Sequence, residues 1–268
     1  MKKIALIGYG AIAHMVVDEL AKVADKFEIS AVLVRTKRAA AAREELPDHI
    51  EVVSDVTDLL ALSPDLVVEC AGQSAILDYA EAVLGSGTDL MVIATGAFAE
   101  AGLLDNLSDR ARGTGARLLL PAGAIAGIDG LTALRLGGLD RVIYTSTKPP
   151  EAWRETPAEQ SIDLDSLTEP TVFFTGSPID AARNYPKNAN LAMTVALAGI
   201  GVERTEIRLV ADPNTTNNTG HIHAEGRFGR LEVEVEGQPA PDNPKTSAST
   251  ALSMVHAIHN LTATVVMP

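Results

Sequence analysis

The sequence predicts an α/β protein in two parts: a parallel sheet wound with helices, then a smaller, mostly antiparallel sheet with helices on one face. Three observations predict it. The first third repeats strand, small-residue turn and helix, and its strands are nearly unbroken apolar runs, as strands buried on both faces must be. Hydrophobic residues make up 46% of the chain but aromatics only 4%, a supply suited to aliphatic helices packed on a buried sheet. Beyond residue 134 the strands lengthen and alternate, the pattern of a sheet with one covered face.

At 268 residues the chain can hold one large domain or two modest ones. A formal net charge of −13 argues against a nucleic-acid partner, whose phosphates demand clustered Lys and Arg. With no apolar run of membrane-spanning length and no signal peptide ahead of the first strand, the expectation is a soluble, cytoplasmic protein that engages no membrane. A lone cysteine, Cys70, excludes an intramolecular disulfide and fits a reducing compartment.

"KKIALIGYGAIAHMVVDELAKV" reads as a strand (Ile4 to Ile7), a glycine turn and a helix opened by Ala11 and Ile12. Gly8, Gly10 and Ala13 match G-x-G-x-x-G/A. The first glycine permits the tight turn and the second lets backbone approach a pyrophosphate. The small third residue lets the helix pack close to the strand, its N-terminus facing the phosphates. Placed after an N-terminal strand, these residues mark a Rossmann-type dinucleotide-binding domain, taken here as residues 1–120.

The next strand, in "EISAVLVRTKRAA", ends where the adenosine ribose of such a cofactor should lie. An acid there would accept from the 2′-hydroxyl of NAD. This chain offers Arg35, Thr36, Lys37 and Arg38, which suit a 2′-phosphate, so NADP(H) is the expected cofactor and NAD(H) the alternative. The competing reading is a solvated basic loop. "IEVVS", "LVVECAG", "LMVIATGA" and "ARLLLPAGA" follow at βα spacing, each ending in small or polar residues at the carboxyl edge where open α/β sheets bind ligands. Ala71 and Gly72 close the second of these strands and join the candidate cofactor residues. Cys70 beside them reads as small-residue packing, because no local feature would lower its pKa.

After "PAGAIAGIDGLTAL" come "RVIYTSTK", "TVFFTG", "TEIRLVAD", "HIHAEGRFG" and "RLEVEVEG" as strands, with "SPIDAARNYP" and "NANLAMTVALAGIG" as helices. This second, α/β domain is assigned residues 121–242. The tail, 243–268, opens with a capping turn at Thr246 and Ser247 and continues as a helix whose Ala251, Val255 and Ile258 suit packing back on the first domain. A coenzyme domain followed by a sheet domain implies a substrate cleft.

Seven blocks of sequence, "GYGAIA", "VECAG", "PAGAIAGIDGL", "VIYTSTKPPEAW", "YPKNANLAMTVALAG", "ADPNTTNN" and "NPKTSA", resemble the L-aspartate dehydrogenases of bacteria and archaea over essentially the whole chain. The resemblance implies a Rossmann domain followed by an α/β catalytic domain whose sheet helps form a homodimer. It also implies NAD(P)-dependent oxidative deamination of L-aspartate to oxaloacetate and ammonia through iminosuccinate, or the reverse. Carried over, Ala124 and Asn190 fall where the family contacts the nicotinamide end of the cofactor. Asn190 on residue pattern alone reads equally as a helix cap. For the substrate's carboxylates, Lys148, Lys187 and Lys245 are candidate cations, joined by Asn188, Asn218, Thr246 and Ser247.

The family carries Asp-Pro, four to five residues, then Asn-x-His, with that histidine as the catalytic base. Anchored on Asp212-Pro213 and Phe228-Gly229, the pattern puts its asparagine on Asn218 and its histidine on Gly220. Two explanations stay open. A bulge at "NTG" would let His221 serve as the base, since adjacent strand residues otherwise face opposite ways. Alternatively the base is absent and the pocket takes another amine or imine. His221 and His223 lack the further ligands a metal site needs, and no metal is expected. Two further readings follow from an absent base: an imine-reducing or amine-oxidising relative, and a non-catalytic NADP-binding protein.

Overall fold

The computed structural model describes residues 1–23, 25–237, 239–240 and 243–267, and for residues 187, 239–240 and 243–246 the backbone alone. The chain divides into two compact units, Met1–Pro121 with Thr250–Pro268, and Ala122–Ser249.

The first unit alternates strand and helix in chain order: β1 (Lys2–Ile7), α1 (Ala11–Ala21), β2 (Phe27–Leu33), α2 (Ala39–Glu45), β3 (Glu51–Val53), α3 (Val56–Ala61), β4 (Leu66–Glu69), α4 (Gln73–Gly85), β5 (Asp89–Val92), α5 (Leu103–Thr114) and β6 (Leu118–Leu119). The strands pair in parallel in the order β3-β2-β1-β4-β5-β6, the doubly wound order of dinucleotide-binding domains. Strand order reverses between β1 and β4, so the turns after these two strands border the crevice where such sheets bind ligands. Ile4, Leu6, Val32, Leu66, Val68 and Met91 form the core against Ala13, Val16 and Leu20 of α1. The run "ARLLLPAGA" yields only two strand residues, because Pro121 cannot donate to a ladder and the chain then leaves the sheet.

The second unit contains α6 (Ile128–Gly137), β7 (Leu139–Lys148), α7 (Ala158–Ser161), β8 (Thr171–Gly176), α8 (Pro178–Asn184), α9 (Ala189–Ala198), β9 (Glu206–Ala211), β10 (Asn218–Gly226), β11 (Gly229–Gly237), β12 (Pro239–Ala240) and β13 (Asn243–Ser247). Its main sheet runs β11-β10-β7-β9-β8. All neighbours are antiparallel except β7 and β9. One face carries Val142, Tyr144, Ile207, Leu209, Ile222 and Ala224, buried against Leu131, Ala181, Ala192 and Val195 of the helices and against Trp153. Thr246 and Ser247, expected as a capping turn, end β13, which pairs with β12, and Ser247 directly precedes the last helix. The last helix, α10 (Ala248–Asn260), places Ala251, Met254, Val255 and Ile258 in the core of the first unit. Among the described residues no helix is long and apolar enough to cross a membrane.

Candidate active site

In the first unit the turns after β1 and β4 meet. Gly8 adopts φ +93°, and a Cβ there would lie 2.7 Å from the Ala71 Cβ and 2.9 Å from its Cα, so the position admits only glycine. Gly10 caps α1 from extended backbone and has nothing within 4 Å of where its Cβ would stand. That open space beside a helix N-terminus is what a pyrophosphate requires. A cavity of about 350 Å³ opens there, lined by Gly8, Tyr9, Gly10, Arg35, Arg38, Cys70, Ala71, Ser74, Asp78 and Tyr79 among others. Its position at the switch point and its glycine floor fit a dinucleotide.

Of the four residues after β2, Arg35 and Arg38 line this cavity, while Thr36 and Lys37 do not. They sit in a one-turn 3-10 helix, Thr36–Arg38, which carries Lys37 away from the lining. Ala11 and Ile12 open α1 outside the lining, and Gly72, at φ +111°, caps α4. Ser74, Asp78 and Tyr79 went unforeseen; the i, i+4 spacing of Ser74 and Asp78 on a helix leaving a strand edge is the signal that marks them. Burial pushes the Cys70 thiol well up, with the Glu69 carboxylate adding to it, so it stays an inert thiol.

Glu69 ends β4 and is 1% exposed. Its Oε1 accepts from the backbone N–H of Ala71 at 2.7 Å and of Gly72 at 2.6 Å, and its Oε2 from Ile93 at 3.2 Å and Ala94 at 3.0 Å. Burial raises its pKa and the four N–H groups oppose that rise. One carboxylate thus ties together the turns after β4 and β5.

In the second unit the residues of interest share the helix-covered face of the sheet. Gly220 pairs with Ser146 and Ile222 with Tyr144, so their side-chain positions point the same way, and Lys148 follows two residues beyond Ser146. A Cβ on Gly220 would meet the Ile125 Cδ1 at 3.0 Å and the Tyr144 hydroxyl at 3.2 Å. The 122–127 loop carrying Ala124 therefore lies against this point of β10. Lys148 Nζ donates to Asn188 Oδ1 at the head of α9, with Asn190 in the first turn of that helix, and stands 5.3 Å from the centre of the Trp153 ring. Burial pulls the Lys148 ammonium down to about 8. Tyr144, hydrogen-bonded to Ser146, has its phenol pushed up by burial and stays neutral. Asn218 starts β10 on the same face. The side chains of Lys187, Lys245 and Thr246 lie outside those described, and the Ser247 hydroxyl bonds that of Ser249.

The register of β10 corrects one expectation. Pairing with both β7 and β11 runs without a shift from Thr219 to Glu225, so the bulge that would bring His221 into the place of Gly220 is absent. His221 faces the opposite side of the sheet with His223. There Glu232 accepts both rings, His221 Nε2 at 2.9 Å and His223 Nδ1 at 2.6 Å, and these bonds hold its carboxyl below the usual range. Arg141, Ile143, Thr145 and Arg208 complete that surface. Among the described residues no group of three or more His, Cys, Asp or Glu is placed to hold a metal ion.

A dinucleotide cradle in one unit, and in the other a half-buried lysine held by the Asn188 amide with no carboxylate partner among the described residues, are parts suited to a nicotinamide-dependent dehydrogenase. Comparison with known proteins narrows the class. The family described as "Aspartate dehydrogenase, C-terminal" matches residues 129–261, and "Homoserine dehydrogenase, NAD binding domain" matches residues 8–121. The chain is 44% identical over 260 residues to the L-aspartate dehydrogenase of Cupriavidus necator, covering 97% of each, and 41% identical over 260 residues to that of Acinetobacter baylyi, again 97% of each. A solved aspartate dehydrogenase from Thermotoga maritima shares its fold over the whole of both chains, with a TM-score of 0.78 at 23% identity. The chain belongs to the L-aspartate dehydrogenase family. It is an aspartate dehydrogenase-like, NAD(P)-dependent oxidoreductase.

Proposed function

We propose that this enzyme oxidises L-aspartate to iminosuccinate, released as oxaloacetate and ammonia, or runs the reverse, with NADP(H) preferred over NAD(H), as a cytoplasmic homodimer. The observation carrying the cofactor preference is the end of β2, where Arg35 and Arg38 line the cavity and no acid follows the strand; Asp78, the acid in the lining, comes from α4. A guanidinium pairs with a 2′-phosphate and gains little from a 2′-hydroxyl. When bound, the nicotinamide supplies the hydride acceptor or donor. The chain's own part is to hold the substrate, with Lys187 and Lys245 as cations for two carboxylates and Asn188, Asn190 and Asn218 as amide partners. Asn190 and Ala124 hold the nicotinamide end.

The test compares both cofactors in steady-state aspartate oxidation and in fluorescence titration. Replacing Arg35 and Arg38 by Gln should weaken NADPH roughly ten- to a hundred-fold, from about 1.5–3 kcal/mol of charge-assisted bonding, and leave NADH almost unchanged. Equal losses for both would defeat the preference.

Gly220 favours a second reading. With no imidazole at that point of β10, water addition to the imine is slowed more than hydride transfer, so the enzyme works best as a reducer of imines. NADPH oxidation only with carbonyl–amine pairs other than oxaloacetate and ammonia would select this reading, and cofactor binding without turnover of any pair would select a non-catalytic protein.

A further inference from the structure

We propose that Lys148 is the proton-transfer group of this chain, acting from the strand beside Gly220 where the family's imidazole is missing. Three geometric facts carry it. Lys148 and Gly220 face the same side of the sheet, and Lys148 lies one strand step, about 7 Å, beyond the residue that pairs with Gly220. Its Nζ donates to the Asn188 amide at the head of α9, which fixes its direction while leaving further donor positions. Among the described residues it has no carboxylate partner, and a cation held only by an amide and the Trp153 ring is poised to release its proton. Among the described residues, the charged and titratable groups on the elements around it are engaged elsewhere. Glu151, ahead of Trp153, pairs with Arg154; Asp212, which follows β9, accepts from the Asn214 N–H; Tyr144 on β7 bonds Ser146; Tyr185 precedes Asn188 within an aromatic cluster. Burial brings Lys148 to about 8, where both protonation states are populated at neutral to alkaline pH.

The inference rests on the aspartate dehydrogenase reading and deepens it. Neutral Nζ takes a proton from water as the water oxygen bonds to the iminium carbon, and the C=N π pair moves to nitrogen. The resulting ammonium gives that proton to the amino nitrogen of the carbinolamine. Nζ then takes the hydroxyl proton as the C–N bond breaks, leaving oxaloacetate and ammonia, and finally releases it to solvent.

The test uses Lys148→Arg, which keeps the charge but holds its proton, and Lys148→Met, which has neither. Three quantities are read: kcat for aspartate oxidation against pH, succinate affinity of the NADP-loaded enzyme, and NADPH affinity as the measure of folding. Expected is a parent kcat that climbs through about pH 8, and a Lys148→Arg enzyme that binds succinate within several-fold of parent, loses about 10²–10⁴-fold in kcat and loses the climb. A Lys148→Arg enzyme that deaminates within several-fold of parent, with the climb intact, overturns the inference and leaves Lys148 a carboxylate anchor. Should both variants lose NADPH binding, the parent profile decides alone, and its lack of a step near pH 8 overturns the inference. A parent inactive with aspartate overturns the underlying reading as well.

Discussion

Gly8 and Glu69 are residues whose neighbours leave no alternative. The glycine motif states its own reason in the sequence, whereas a buried carboxylate with four backbone donors has no local signature. Glu69→Gln would set an amide N–H₂ against two of those donors and cost about 1–3 kcal/mol. We expect it to weaken NADP and NAD alike, since the turns it ties serve the common part of the cofactor; a loss confined to NADP in titration would contradict this. Gly220 poses the reverse problem. A histidine Cβ there crowds Ile125 and the Tyr144 hydroxyl, so Gly220→His should lower stability by about 1–3 kcal/mol in urea unfolding. It should nonetheless raise aspartate oxidation, because an imidazole titrating near neutrality is restored at the family's position. Unchanged oxidation would mean that the pocket no longer serves that chemistry.

At the scale of elements, β10 shows how far pattern reading reaches. Alternation in "TGHIHAEG" was legible, and it correctly sets His221 and His223 on one face. Whether a bulge intervenes was not legible, because a one-residue slip depends on pairing with β7 and β11, strands distant in sequence. With the register regular, His221→Ala removes a partner of Glu232 and nothing from the Lys148 face. Turnover should stay within a few-fold of parent in steady-state assay, and a collapse would contradict the face assignment. The β12–β13 ribbon escaped the sequence for the same reason, since two short strands flanking prolines carry no periodicity of their own. The basic run after β2 was seen whole, but a single 3-10 turn decides which cations reach the cavity, and residue type alone does not reveal that turn.

For the whole molecule, the division into a parallel sheet and a mostly antiparallel one follows from patterns the sequence displays, while the strand order of the second sheet does not. The return of α10 to the first core follows as well, through the spacing of Ala251, Val255 and Ile258. What composition could not supply is the environment of Lys148, which is set by Trp153 and Asn188 brought in from separate segments. That environment has a consequence for stability. Burial pulls Lys148 down to about 8 from an ordinary value of 10.5, so between these pH values the unfolded chain holds the extra proton and stability rises with pH. Below about 8 the ammonium is charged in both states and its desolvation is a constant loss. Thermal unfolding of parent and Lys148→Met should therefore converge as pH rises through this window, and parallel curves would contradict a desolvated lysine ammonium.

An aspartate dehydrogenase-like oxidoreductase should join ammonia to oxaloacetate, or remove it from aspartate, at the expense of a nicotinamide cofactor. The most direct measurement is the stoichiometry of the amination direction: purified protein with oxaloacetate, ammonium and NADPH, followed by absorbance for cofactor and by chiral chromatography for product. One L-aspartate formed for each NADPH oxidised is the predicted result. NADPH stable over the full course with no aspartate formed, in protein that binds the cofactor, would contradict it.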